Sequence, residues 1–237
     1  MRYARTLLAI VAVVLLAACQ GPQHFEAAKQ LKRNTGEAHI LVMPADVELS
    51  ELTAGGMLEP KADWTEAARG YLTDALRDEE ATRHITIVDY DEGAIPADRQ
   101  DKIRQLAKLY GTVGREIFAH QFSGPLQLPT KTNGFDWSLG PSAQVLRDQY
   151  GADYALLTYV RDSYASSGRK AMIAFAAVAG ISVPAGQQLA FTSLVDMETG
   201  DIVWFNRVIR IGYTASDIRE PAGARGTVKQ LLAGFPQ

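Results

Sequence analysis

The chain has 237 residues, 47% hydrophobic and 22% charged, an ordinary balance for a globular protein with a core of its own. A net charge of −3 gives no electrostatic reason to bind nucleic acid. The single cysteine, Cys19, excludes an internal disulfide and leaves the redox compartment open.

Arg2 and Arg5 open the chain, and twelve of the thirteen residues at 6–18 are apolar, ending in Ala17 and Ala18. This basic, apolar, small order predicts a signal peptide over 1–18. The apolar run is shorter than the roughly 17–25 residues a membrane-spanning helix needs. Without this segment the charge becomes −5, from 22 cations and 27 acids. Leu16-Ala17-Ala18-Cys19 resembles the lipobox of bacterial lipoproteins. That resemblance implies a diacylglycerol on the Cys19 sulfur, cleavage before Cys19 and acylation of the new amine. Gln20, in place of an aspartate, implies the outer membrane by the same resemblance. Two or three acyl chains hold a protein on a bilayer where one barely does, at about 0.8 kcal/mol per buried methylene. Residues 19–37 are polar and predict a tether, with a short helix over 25–31 as an option. Residues 38–237 then form one domain.

Within that domain, "HILVMP" at 39–44 predicts a buried strand and 45–62 a long loop. Trp64, Ala67, Ala68, Tyr71, Leu72, Ala75 and Leu76 recur at helical spacing, and Asp63 with Glu66 suggests a capping-box-like start. "ITIVDY" at 85–90 predicts a second strand. A long helix over 98–122 follows, with Ile103, Leu106, Ala107, Tyr110, Val113, Ile117 and Phe118 on its apolar face. Gly111 and Gly114 each cost that helix about 1 kcal/mol, which implies close packing or a bend. Residues 123–138 read as a loop punctuated by Pro125, Pro129 and Asn133-Gly134. A third helix starts near Pro141 and stops at Gly151.

"DYALLTYVRDSY" predicts a strand apolar on both faces. Two further strands meet at a turn over 198–201. On the second, Val203, Phe205, Ile209, Ile211 and Tyr213 share a face that Arg207 interrupts. A helix over 223–232 closes the chain. The sum is an α/β fold: a single mixed sheet of about five strands, helices packed on it, and a C-terminal antiparallel hairpin.

"GADYALLTYVRDSY" and "FTSLVDMETGDIVWFN" resemble a pattern in envelope lipoproteins. It is similar to curli-secretion lipoproteins, the periplasmic α/β domain of the Tol–Pal system and uncharacterised proteobacterial lipoproteins. This resemblance implies a non-enzymatic, often oligomeric envelope protein.

The residues carry no pattern for chemistry. His24, His39, His84 and His120 form no i, i+4 pair, so no metal is expected. Asp89, Asp91 and Glu92 lack a calcium-loop pattern and read as a solvated turn. "SYASSGRK" holds no nucleophile elbow, and "GARGTVK" reads as a helix start rather than a phosphate loop. We expect no enzyme activity and no cofactor. Residues 171–183, "AMIAFAAVAGISV", hold one polar side chain, Ser182. They read first as a core element, then as a self-association surface, then as a membrane contact. Phe135, Trp137, Ile173 and Phe175 are the candidate interaction residues. The function expected is a lipid-anchored, periplasm-facing interaction or assembly module, with protein partners or self-association. The alternative is a periplasmic enzyme or ligand-binding protein with a dispersed site.

Overall fold

The computed structural model describes residues 24–26, 31, 38–81, 86–122, 124–131, 134–212 and 216–236. The expected signal peptide, Cys19, most of the 19–37 tether, His84 and Tyr213 lie outside these residues.

One long strand organises the sheet. β6 (Tyr154–Ala165) buries its first seven residues, because Tyr154, Leu156 and Val160 point to one face while Ala155, Leu157 and Tyr159 point to the other. A strand apolar on both faces needs cover on both, and the helices provide it. α1 (Ala62–Ala81) and α5 (Pro221–Leu231) cover one face; α2 (Ala97–Gln121) and α3 (Gln144–Tyr150) cover the other.

β7 (Gln187–Asp196) and β8 (Ile202–Ile211) extend the sheet antiparallel from one side of β6. On the other side, β2 (His39–Val42) pairs parallel with both β6 and β5 (Thr86–Asp89). The mixed α/β sheet and its antiparallel C-terminal pair are as the sequence predicts.

The strand number is not. β2 covers only 154–156 of β6, and the rest of that edge is paired by β3 (Asp46–Leu52), in the segment expected to be loop. Pro44 has no N–H to give a ladder, so the edge strand breaks there and resumes. The alternation in "DVELSEL" was the available signal: Val47 and Leu49 are buried, and Glu48 is exposed. β4 (Leu58–Pro60) folds back on β3 as a hairpin. β1 (His24–Glu26) adds antiparallel to β8, where the tether was expected to be free or helical. The sheet therefore has eight strands among the described residues.

The helices largely follow their apolar spacing. α1 starts at Ala62, so Asp63 lies inside the first turn rather than capping it, where its charge still favours the positive helix end. Ala67 is exposed, while Ala68, Leu72, Ala75 and Leu76 are buried. α3 ends on Gly151 at φ 67°, whose N–H bonds Arg147 O. Of the face expected on β8, only Phe205 is fully buried; Ile209 and Ile211 are exposed, and Val203 packs on the opposite side. An irregularity in the β7–β8 pairing at Leu194/Val195 lies where that side switches. The alternate set, Trp204, Asn206 and Val208, is the better buried because α5 lies on it.

Candidate interaction surface

β6 runs directly into α4 (Ser167–Val178), which occupies the start of the segment expected first as core. The Ser166 hydroxyl accepts from Arg169 N at 3.1 Å and caps the helix. Arg169 then pins that first turn: Nε donates to Pro184 O at 3.0 Å and Nη1 to Thr53 O at 3.4 Å. Gly168 lies over Ala54, with 3.6 Å from its position for a Cβ to the alanine methyl.

Beyond this pinned turn none of the helix residues is fully buried, and Met172, Ile173 and Ala176 are half-buried on the side toward the domain. Phe175 is 79% exposed, Val178 91% and Ile181 59%. The core reading of 171–183 is thus overturned. Its apolar composition is real, but β6, β7 and their flanking helices already fill both faces of the sheet. Ile173 is half-buried at the helix base.

The same end of the sheet collects other exposed apolar side chains. Leu52 of β3 pairs with Ala165, so the β3–β4 hairpin brings Met57 and Leu58 here. Gln187 pairs with Ile211, which brings the end of β8. Among the described residues, seven of the nine large exposed apolar side chains lie at this end: Met57, Leu58, Phe175, Val178, Ile181, Ile209 and Ile211. Single exposed apolar residues need no explanation, but such a collection is a candidate interaction surface.

Beneath α4 lies a buried polar network. Asp162 is 4% exposed. Its Oδ2 accepts from the Tyr164 hydroxyl at 2.7 Å and from Gln188 Nε2 at 2.6 Å, and its Oδ1 accepts from Ser163 N at 2.8 Å. Burial pushes its carboxyl up to about 6, against the pull of those donors. Tyr164 accepts in turn from Ile218 N at 3.0 Å, and burial with the adjacent Asp162 raises its phenol. Gln188 Oε1 accepts from Arg210, which also donates to Thr227 Oγ1 at 2.9 Å and Gln230 Oε1 at 2.6 Å.

Arg219 stacks 3.9 Å over the Tyr164 ring and holds Asp217 at 2.6 and 2.9 Å, keeping that carboxyl below its ordinary range. A cleft of about 270 Å³ opens beside Tyr164, Lys170, Asp217 and Arg219. Three donors occupy Asp162, so the network locks β6, β7, β8 and α5 together under the surface. One polar pair in the apolar centre of "YALLTYVRDSYA", Arg161-Asp162, was its sequence signal.

Phe135 and Trp137 do not join this surface. They lie toward the opposite end, where Trp137 O accepts from Ile202 N and Ser138 bridges Asp201. Both are half-buried: Phe135 packs 6.2 Å from Phe205, and Trp137 Nε1 donates to Gln121 Oε1 at 3.3 Å under the Lys131 ammonium. The two histidines whose side chains are described, His39 and His120, also stay apart. His39 faces Asp153 at 3.9 Å, and His120 sits between Glu116 and Leu126 O. Asp91 accepts from Gly93 N at 2.9 Å in a short turn, and Asp89 faces Arg77. Among the described residues no group of three or more His, Cys, Asp or Glu is placed to hold a metal. A second, open groove of about 670 Å³ lies between α2 and residues 141–148, lined by Arg99, Lys102, Leu109 and Asp148.

No protein-family model matches the chain, and no curated protein matches it in sequence. Among solved structures, the PelC dodecamer from Paraburkholderia phytofirmans is similar at 13% identity and TM-score 0.38, over 88% of this chain and 94% of that one. The LpoB C-terminal domain from Salmonella enterica is similar at 14% identity and TM-score 0.26, over 75% and 86%. Lipoprotein GNA1162 from Neisseria meningitidis is similar at 14% identity and TM-score 0.28, over 74% and 82%. One of these neighbours is a lipoprotein by name, and the likeness of all three is too low to carry a function across.

Proposed function

We propose that this protein is an envelope lipoprotein, anchored through acylated Cys19 at the outer membrane and facing the periplasm, that works by surface contact and not by catalysis. The observation that carries the contact reading is the exposed apolar collection around Phe175, Val178 and Ile181. A folded domain that leaves such side chains in water has something to cover them with. Asp162, the most deeply buried carboxylate with a raised proton affinity, has its oxygens filled by Tyr164, Gln188 and Ser163 N, which favours scaffold over acid–base work. The anchor reading rests on the Leu16-Ala17-Ala18-Cys19 tetrapeptide after an apolar run.

Labelled palmitate tests the anchor. The wild type incorporates it and fractionates with membranes, while Cys19→Ser does neither. A wild type without label overturns the anchor. Crosslinking in intact envelopes from positions around 175–181 tests the contact. A retained small molecule in one of the clefts, with no contact made by α4, would defeat the contact reading in favour of ligand binding or catalysis.

A further inference from the structure

The direction of β1 gives the exposed helix an occupant. β1 pairs antiparallel with β8 in the register His24↔Asn206 and Glu26↔Trp204. The His24 end of β1 therefore points toward the Ile211 end of β8. That is the end where Gln187 pairs with Ile211 and where β6 passes into α4. Cys19 precedes His24 by five residues, and Ile211 follows Asn206 by five. Five residues span at most about 17 Å, so an anchor at Cys19 holds the His24 end of β1 within that reach of the acyl chains. Reaching the opposite end would require reversing direction, and a turn uses about four residues, leaving almost none to travel back.

From this we propose that the α4 end of the sheet faces the bilayer, with α4 lying in the membrane interface and Phe175, Val178 and Ile181 inserted among the lipids. The proposal rests on the Cys19 anchor reading, since the acyl chains fix which end of the domain meets the membrane. It adds a second, noncovalent contact to that anchor.

The helix has the chemistry for a lipid surface. Residues 167–183 contain two cations, Arg169 and Lys170, and no acidic residue, in a chain whose net charge is negative. Lys170 is exposed at the N-terminal turn, where its ammonium can meet anionic headgroups while its stem lies along the apolar face. Twelve residues make a helix about 18 Å long, too short to cross a hydrocarbon core of about 30 Å, so it must lie in the plane. Met57, Leu58 and Ile211, on separate elements at the same end, widen the apolar contact. A second copy or a protein partner could cover Phe175 and Val178, but neither requires the anchor to emerge beside them.

The test uses the full lipidated chain in vesicles of phosphatidylethanolamine and phosphatidylglycerol. Cys19 is the only native cysteine and a thioether once acylated, so Val178→Cys takes a polarity-sensitive fluorophore alone. Asp136→Cys, exposed near the opposite end, is the reference. We expect a blue-shifted emission at 178, and quenching by brominated acyl chains several-fold stronger than at 136. A protein that carries palmitate and floats with the vesicles, yet leaves the 178 label in water and unquenched, overturns the proposal and leaves the anchor standing. Disulfide crosslinks from 178 to 178 in unlabelled Val178→Cys protein in the same vesicles would assign the surface to a second copy. Absence of palmitate overturns the anchor, and the membrane-facing assignment with it.

Discussion

Gly114 of α2 lies against the ring of Phe191 on β7 so closely that a Cβ at 114 would overlap the ring at Cε2 and Cζ. Phe191 cannot yield. It is fully buried, stacked 4.6 Å from Tyr159 on one side and 5.6 Å from Phe205 on the other. The glycines of α2 thus let a helix settle onto an aromatic row that crosses β6, β7 and β8. Close packing, one of two readings open from sequence, is the one realised.

Gly114→Ala should destabilise the fold by up to about 2 kcal/mol, because overpacking at about 1–3 kcal/mol outweighs the gain of about 1 kcal/mol in helix propensity. Gly111→Ala should be near neutral, since a Cβ there meets Tyr159 Cε2 at 3.1 Å and a small shift relieves it. Urea unfolding of both variants checks the contrast. Equal effects would mean the helix does not depend on the Gly114–Phe191 approach.

Asp162 should make stability depend on pH in a definite direction. Its folded carboxyl titrates at about 6, above the ordinary value of about 3.9. Below about pH 3 both folded and unfolded chains hold the proton. As pH rises toward 6 the unfolded chain releases it first, so stability falls, by about 3 kcal/mol once the loss is complete. Other carboxylates titrate in the same range, so the comparison is with Asp162→Asn. Wild type should gain stability relative to Asp162→Asn on going from about pH 7.5 to about pH 5. A difference that stays flat shows that the Asp162 carboxyl is not perturbed.

Asn206 closes the C-terminal end of α5. Its Nδ2 donates to Gln230 O and Leu231 O, both at 2.8 Å, and to Ala233 O at 3.1 Å. Asn206→Ala takes the side-chain donor from the buried Leu231 carbonyl, while Gln230 O keeps Ala233 N, and should cost about 1–3 kcal/mol. Asn206→Asp should cost more, because a carboxylate would face those carbonyl oxygens. Thermal melts of the two variants, in that order of severity, are the measurement.

Phe175→Ser and Val178→Ser should leave stability within about 0.5 kcal/mol of wild type, as substitutions on an exposed surface do. Leu72→Ala, in the α1 core, should cost about 2–5 kcal/mol. A large loss from the α4 pair would show that helix packed into the fold and remove the ground for a contact surface.

Much of the fold was legible because local periodicity records burial. The faces of α1 and α2, the stop of α3 at Gly151 and the two-sided apolar strand β6 all follow from the spacing of side chains in single segments. β3 was legible in principle, through the alternation of "DVELSEL", but Pro44 and the polar residues around it disguised a second piece of strand. β1 was not. Three residues in a polar stretch become a strand only because β8 offers a free edge.

The candidate surface shows the same division. By itself the sequence determined that residues 171–183 are apolar and follow two cations, and that a lipobox-like Cys19 stands upstream. It could not tell core from surface, since both are built from the same side chains and composition carries no record of which space is already filled. Only the tertiary structure decided that β6, β7 and four helices close the core without α4. Strand register decided the rest, pointing the His24 end of β1 toward the end where Phe175 and Val178 stand in solvent, while Phe135 and Trp137 are held against Phe205 and Gln121 at the other.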